Sequence, residues 1–419
     1  MRGDDHGILE GHGPVRYGPP LPDDGLPVLP ELAAAAATAD PAVPEPPGGA
    51  PALLDAACGY WLRRGLPTEP GSTAAAPGGV PLLLALTAAI GGDVLLPRPC
   101  PAWWEPQARL LGRSVFHVAT PAECGGVPDP YALLETVRRV RAEGGDPRLL
   151  VLSVADDPTG TVPPPEILHE AVEAAVAEGL HIVSDETWRD TLHHDPARDT
   201  VLIGAAEMLP EHVTVVTDLT GAYLPPGLPA AVARLPATAR GAVLRARVLD
   251  VLTALGAVLS VPAAAAAAYA LGEPAEVTAR LRATTALHAR VAAAVHRALL
   301  VSGGLARPPE AGRHLYADLG RLRPALAARG VGDAQDLEDR LSELLGMPTP
   351  GGHRFGDDLA ALRVRLSTGP FLGSTPQERM TSLTTPEPLE LPHVQRALSM
   401  LESALDDLRA DVKGWESPR

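Results

Sequence analysis

Lysine is all but missing from this chain of 419 residues: the only one is Lys413, close to the C-terminus. Chemistry that needs a lysine amine, such as an imine with a carbonyl compound, has no residue to run on before that position. Aromatic residues make up only 3% of the chain, so its core must be built from Ala, Val and Leu. Cysteine is also scarce. Cys58, Cys100 and Cys124 are odd in number and show no C-x-x-C spacing, which excludes a disulfide framework or a cysteine zinc site. They read as reduced thiols, and the expected compartment is the cytoplasm. Basic residues are outnumbered 35 to 51, giving a net charge of −16. Binding to nucleic acid or to anionic membranes wants basic patches, so neither is expected. No apolar stretch long enough to span a bilayer is free of Pro and charge, and the opening MRGDDHGILEGHGP has no apolar core of a secretory signal.

What the chain does have is 46 Pro, 41 Gly and much Ala, the mark of a GC-rich coding bias, with 46% hydrophobic residues to bury. Residues 1–50 read as an extended arm with one short helix near 29–38. Helical spacing then predicts helices near 51–64, from 78 to about 90, and over 103–111. Continuous apolar runs predict strands at 91–99, 113–119, 148–155, 180–185, 212–219 and 230–235. A helix over 164–178 carries Pro165 and Glu166 in its first turn. Strands that are apolar on both faces and alternate with helices imply a largely parallel sheet covered on both sides. Long Ala-rich helices follow over 237–302. The last third reads as α+β, with strands at 313–320 and 362–368, helices at 334–345 and 393–408, and a polar, Pro-rich loop at 373–392. The expected fold is therefore α/β, divided into an arm (1–50), a large domain (51–300) and a small domain (301–419). No 20–50-residue repeat is present.

The segment DDPTGTVPPPEILHEAVEAAVAEGLHIVSDETWRD (156–190) resembles the class I/II aminotransferases of fold type I, which use pyridoxal phosphate. Asp157-Pro158-Thr159-Gly160 matches the family's Asn-Pro-Thr-Gly loop. Ser184-Asp185-Glu186-Thr187-Trp188 matches the strand that ends in Ser-Asp-Glu-x-Tyr. In order along the chain, 48–65 looks like the entry helix of the large domain, and Gly91–Val94 with Pro99 like the turn and strand before the aromatic loop. Residues 217–235 look like the cofactor-lysine loop, and Pro350-Gly351 to Arg365-Leu366-Ser367 like the C-terminal substrate segment. The likeness covers roughly 48–370, and several motifs in register make it specific for the fold, though fold alone does not fix function.

Carried over position by position, the resemblance implies an altered site. In the frame anchored on Pro226-Gly227-Leu228, Asp218 and Thr220 fall at the two Ser positions, Gly221 at the lysine, and Pro229 at the phosphate-binding arginine. Asp157 replaces the ring-hydroxyl asparagine, Trp188 the ring-hydroxyl tyrosine, and Pro101 the stacking aromatic, with Trp103 and Trp104 just beyond. Gly78 and Gly79 leave a helix N-terminus suited to an anion. Asp185 keeps the place that pairs with the pyridine nitrogen, and Arg365 the place that clamps a substrate carboxylate. A phosphate monoester beside Asp218, without an arginine, meets repulsion. From this the expected cofactor is none, with pyridoxal phosphate bound weakly or not at all.

If Asp157, Asp185 and Asp218 line one cleft, like charge and burial raise at least one pKa and supply an acid or base. As ordinary loop residues, Asp157 and Asp218 would instead point outward, and the two readings weigh about equally. The candidate catalytic residues are Asp185, Asp157, Asp218 and Tyr223, the last as a proton donor. The candidate ligand-binding residues are Arg365, Trp188, Trp104, Thr220 and His193. His193, His194 and Asp195 show no specific metal spacing, so no metal is expected. The foremost expectation is a pyridoxal-phosphate-independent enzyme of natural-product metabolism, a homodimer acting on an amino-acid-like or carboxylate ligand by acid–base chemistry. The alternatives are a catalytically silent partner, in a homo- or heterodimer, and non-covalent use of pyridoxal or pyridoxamine phosphate.

Overall fold

Alternate side chains of a strand point to opposite faces of its sheet, and the apolar runs use both faces here. Leu150 and Leu152 enter one core, with Ile182, Val213 and Val215, while Leu149 and Val151 enter another, with Val183 and Val216. In the computed structural model, which describes residues 14–21, 25–40, 42–194 and 202–409, these runs form the centre of a seven-stranded sheet. The strands are β1 (Thr73–Ala76), β2 (Asp93–Arg98), β3 (Val115–Ala119), β4 (Pro147–Ser153), β5 (His181–Asp185), β6 (Val213–Asp218) and β7 (Ala231–Arg234). Their order across the sheet is β1-β7-β6-β5-β4-β2-β3. The pairs from β3 to β6 are parallel, and β7 runs antiparallel to both of its neighbours.

The α/β class and the mostly parallel sheet agree with the sequence reading. Strand β1, with sequence TAAA, has weak strand propensity and is held by its pairing with β7 and by complete burial. The sequence reading assigned no helix at Pro130–Ala142, although Asp129 caps it by accepting from Ala132 N.

The smaller core gathers around an antiparallel pair, β8 (His314–Asp318) with β9 (Arg363–Ser367). Leu315, Val364 and Leu366 pack there against helices Ala334–Leu345 and Pro392–Arg409. Helix Ala275–Val301 contributes Leu287, Val291, Val295 and Leu299 to the same core, although it begins beside the large one. The loop expected at 373–392 is corrected by a helix over Pro376–Thr384. Thr375 and Glu378 form a reciprocal capping box, and Pro376 stands in the first turn, where its missing N–H is harmless. Among the described residues no helix is long and apolar enough to cross a membrane.

Candidate active site

Ligands of open α/β sheets bind beyond the carboxyl ends of the parallel strands. Here that edge presents Ser153 at the end of β4, Asp185 at the end of β5 and Asp218 at the end of β6. Ser153 and Asp185 are register partners, so their side chains stand next to each other. Arg313 just before β8, His314 at its start and Arg365 in the middle of β9 line the same cavity. This open cavity is about 230 Å³, and its lining also includes Asp157, Trp188, Thr220 and Trp103.

Asp157, Asp185 and Asp218 therefore do share one cleft, but each carboxylate has a different environment. Asp185 is buried, accepts one bond from Thr187 N at 3.0 Å, and burial together with Asp218 and Asp157 pushes its pKa up to about 6. Asp218 is also pushed up by burial. Its Oδ2 accepts from Gly79 N at 2.7 Å and its Oδ1 from Thr220 N at 2.8 Å. Asp157 goes the other way: burial alone would raise it, but the Arg365 guanidinium holds it well below the usual carboxylate range. Arg365 Nη1 donates to both Asp157 oxygens at 3.0 and 3.2 Å. His314 Nδ1 lies 3.1 Å from Asp157 Oδ1. Burial and Arg365 lower the pKa of His314, so this contact is a neutral Nδ1–H donating to a carboxylate that only accepts.

The N-terminus of helix Gly79–Ile90, expected to suit an anion, thus carries the chain's own Asp218. Pro229 reaches the same end, 3.9 Å from where a Cβ on Gly78 would sit. Gly221 has φ +95°, and a Cβ there would lie 3.1 Å from Arg313 Nη2 and 3.2 Å from Trp188 Cη2. Arg313 in turn lies over the Trp188 ring, 5.1 Å from its centroid.

Three expected site residues lie elsewhere. Tyr223 is turned away from the cavity, donating to Asp190 Oδ2 at 2.9 Å and packing edge-on against Tyr60. A nearby acid and the cation Arg64 offered its hydroxyl a better-satisfied site than the cleft. His193 is buried with Nδ1 3.2 Å from Pro309 O and Nε2 2.9 Å from Gly312 O, bonds that hold the loop before β8. Trp104 is a core residue packed edge-on against Trp103, and it is Trp103 that lines the cavity. Asp195 and Lys413 lie outside the described residues, among which no group of three His, Cys, Asp or Glu could hold a metal ion. Sequence reasoning missed Arg313 and His314. They open a strand that reads as ordinary small-domain structure, and only the packing of β8 against the loop after β5 turns them inward.

Residues 23–326, well over half of the chain, match the family Aminotransferase class I and II. The chain belongs to that family. Its curated relatives include the aspartate/prephenate aminotransferase of Thermus thermophilus, 32% identical over 186 residues that make up 42% of this chain and 44% of that protein. The probable aspartate/prephenate aminotransferase of Thermus aquaticus is 30% identical over 182 residues, 42% of this chain and 45% of that one. The match spans less than half the length of these relatives. The fold resembles the aspartate aminotransferase from Thermus thermophilus with maleate, at TM-score 0.72 and 22% identity, covering 93% of this chain and 90% of that one. It resembles the N-succinyldiaminopimelate aminotransferase from Mycobacterium tuberculosis equally, at TM-score 0.72 and 23% identity over 93% and 92%.

Family membership corrects the expectation of no cofactor. The matched relatives are aminotransferases, which depend on pyridoxal phosphate, so that cofactor is the ligand class the family brings to this cleft. The cavity fits it in part. Asp185 offers the cavity a buried carboxylate of the kind that pairs with a protonated ring nitrogen. No lysine lies among the described residues to tether it, and Asp218 covers the helix N-terminus that would meet a phosphate. The residues present do not fit the tethered form.

Proposed function

We propose that this chain keeps the aminotransferase cleft as a non-covalent site for an amino-acid-like or carboxylate ligand and works on it by acid–base chemistry, without a Schiff base to the protein. What carries the reading is the absence of any lysine from the described residues around a cavity that is otherwise lined by ionisable groups. A Schiff base needs a neutral primary amine within reach of a carbonyl carbon, and arginine does not substitute for it because its guanidinium stays protonated. Asp185, with a pKa of about 6, is suited to take and return a proton near neutral pH. Asp157 stays ionised and orients Arg365 and His314. Thr220 and Trp188 shape the wall between Asp218 and Arg313. Pro19 and Pro20 of the N-terminal arm reach the mouth and narrow the access of water.

The test uses the full chain. Titration calorimetry with L-aspartate, succinate and pyridoxal phosphate measures binding, and borohydride reduction followed by peptide mapping searches for an imine. Saturable binding of an amino acid or carboxylate with no adduct within residues 14–409 is the expected result. Sustained transamination of aspartate through a protein-bound imine, or no binding of any carboxylate, overturns the reading.

A further inference from the structure

Three carboxylates reach the cavity, and they differ in what their oxygens already hold. Both oxygens of Asp157 accept from Arg365 Nη1, and His314 Nδ1 lies 3.1 Å from one of them. Asp218 has each oxygen on a backbone N–H, Oδ2 on that of Gly79 and Oδ1 on that of Thr220. Asp185 has Oδ1 on the N–H of Thr187, and its Oδ2 has no hydrogen-bond or ion-pair partner among the described residues. The residue is 94% buried, yet Oδ2 keeps some accessible surface, and the cavity is the space its side chain borders.

We infer that Asp185 Oδ2 and Ser153 Oγ together receive the amino group of the ligand, so that the cleft takes amino compounds in preference to plain carboxylates. The inference rests on the reading that the cleft holds an amino-acid-like or carboxylate ligand, and it says which of the two.

Ser153 supplies the second acceptor. It is the register partner of Asp185, so the two side chains leave the same face of the sheet from backbones about 5 Å apart. Both line the cavity. A serine hydroxyl has one proton to give, and Ser153 gives it to Asp156 Oδ1 at 2.8 Å. Asp156 lies behind the cavity, 3% exposed, with its other oxygen on the N–H and hydroxyl of Thr159. Burial pushes its pKa up to about 7, so above that pH it carries no proton and only accepts. Ser153 Oγ then has lone pairs to offer and no proton.

Two acceptors thus stand side by side without a donor, one of them charged. A ligand carboxylate placed there would meet no proton and a like charge. An ammonium has three N–H groups and a positive charge, and it satisfies both oxygens at once. A protonated ring nitrogen has a single N–H and serves Asp185 or Ser153, but not both.

The test is calorimetric titration of the full chain at pH 8 with L-aspartate and with succinate, which is aspartate without its amino group. The wild type is expected to bind L-aspartate about tenfold or more tighter than succinate, the worth of a charge-assisted pair of bonds. Asp185→Asn keeps an acceptor for Thr187 N but turns an amide N–H toward the ligand, and is expected to narrow the ratio to about threefold or less. Ser153→Ala is expected to weaken L-aspartate by about threefold to tenfold and to leave succinate unchanged. Circular dichroism and melting check that each variant is folded. Succinate bound by the wild type as tightly as L-aspartate, or a ratio that Asp185→Asn leaves unchanged, overturns this assignment alone. Pyridoxal phosphate binding that Asp185→Asn abolishes while the ratio stays the same overturns it in favour of a ring N–H. No binding of either compound by the wild type overturns it together with the proposed function.

Discussion

Replacing Asp185 with asparagine is expected to stabilise the protein at neutral pH, although the substitution falls in the centre of the cleft. Asp185 is 6% exposed and accepts a hydrogen bond from Thr187 N, which an asparagine Oδ1 accepts equally well. Its folded pKa is raised from 3.8 to about 6 by burial, with Asp218 and Asp157 adding like charge. The folded state therefore holds a proton between about pH 4 and pH 6 that the unfolded chain has released. Stability falls as pH rises through this window, by about 1.4 kcal/mol per pH unit at its steepest, and reaches a loss of about 3 kcal/mol above pH 7. Asparagine carries no charge and removes that loss. Urea unfolding of the wild type and Asp185→Asn at pH 4 and pH 8 separates the terms. The two proteins are expected to be similar at pH 4, and the variant is expected to be more stable at pH 8 by up to about 3 kcal/mol. A variant that is less stable at pH 8, or a difference independent of pH, would refute the claim that burial of the Asp185 carboxylate costs stability at neutral pH.

Asp157→Ala is expected to destabilise the fold by about 3 kcal/mol, because it strands a nearly buried Arg365 without its carboxylate; chemical denaturation at pH 7 reads this. The folded pKa of Asp157 is depressed, so the wild type's gain from the pair is present above about pH 4 and is lost as pH falls below it, which an acid-unfolding curve follows. Gly221→Lys is expected to lower the melting temperature and to give no transaminase activity, since φ +95° and the contacts with Arg313 and Trp188 leave a side chain strained by about 1–3 kcal/mol. Recovered activity with pyridoxal phosphate in that variant would contradict the placement of Arg313. Tyr223→Phe is expected to cost about 1–2 kcal/mol of stability through the lost bond to Asp190 and to leave ligand affinity unchanged, as calorimetry would show.

The large sheet was legible because burial on both faces writes continuous Val and Leu runs into β2, β4, β5 and β6. Strand β1 was not, since four small residues carry no strand signature and depend on β7 for their conformation. The helix at Pro376–Thr384 was legible in principle: Thr375 and Glu378 spell its start, but a Pro-rich and polar composition obscured it. Among site residues, Asp157, Asp185, Asp218, Thr220 and Trp188 could be collected from motifs at or just after strand ends, where a parallel sheet brings them to one edge, and Arg365 from the motif around it on β9. Tyr223, His193 and Trp104 could not be excluded from sequence, because a hydroxyl, an imidazole and an indole serve a core as readily as a cleft. The orientation of Tyr223 and His193 depends on partners well removed along the chain, Asp190 and Gly312, while Trp104 packs on its neighbour Trp103.

The same dependence explains why the unusual features of this cleft belong together. A bare residue at 221 would by itself leave a void between Trp188 and the loop after β6, and voids in packed regions are unfavourable. Arg313 reaches into that space and stacks on Trp188, so the glycine, the indole and the guanidinium form one packing unit drawn from three elements. On the other side, an acid at 157 would be an isolated buried charge without Arg365 and the Nδ1–H of His314. His314 packs edge-on against Trp188, which joins the two units through one ring. Changing any single member back toward a family-like residue would thus disturb two or three neighbours. Residues in such contact are expected to couple in double-mutant cycles.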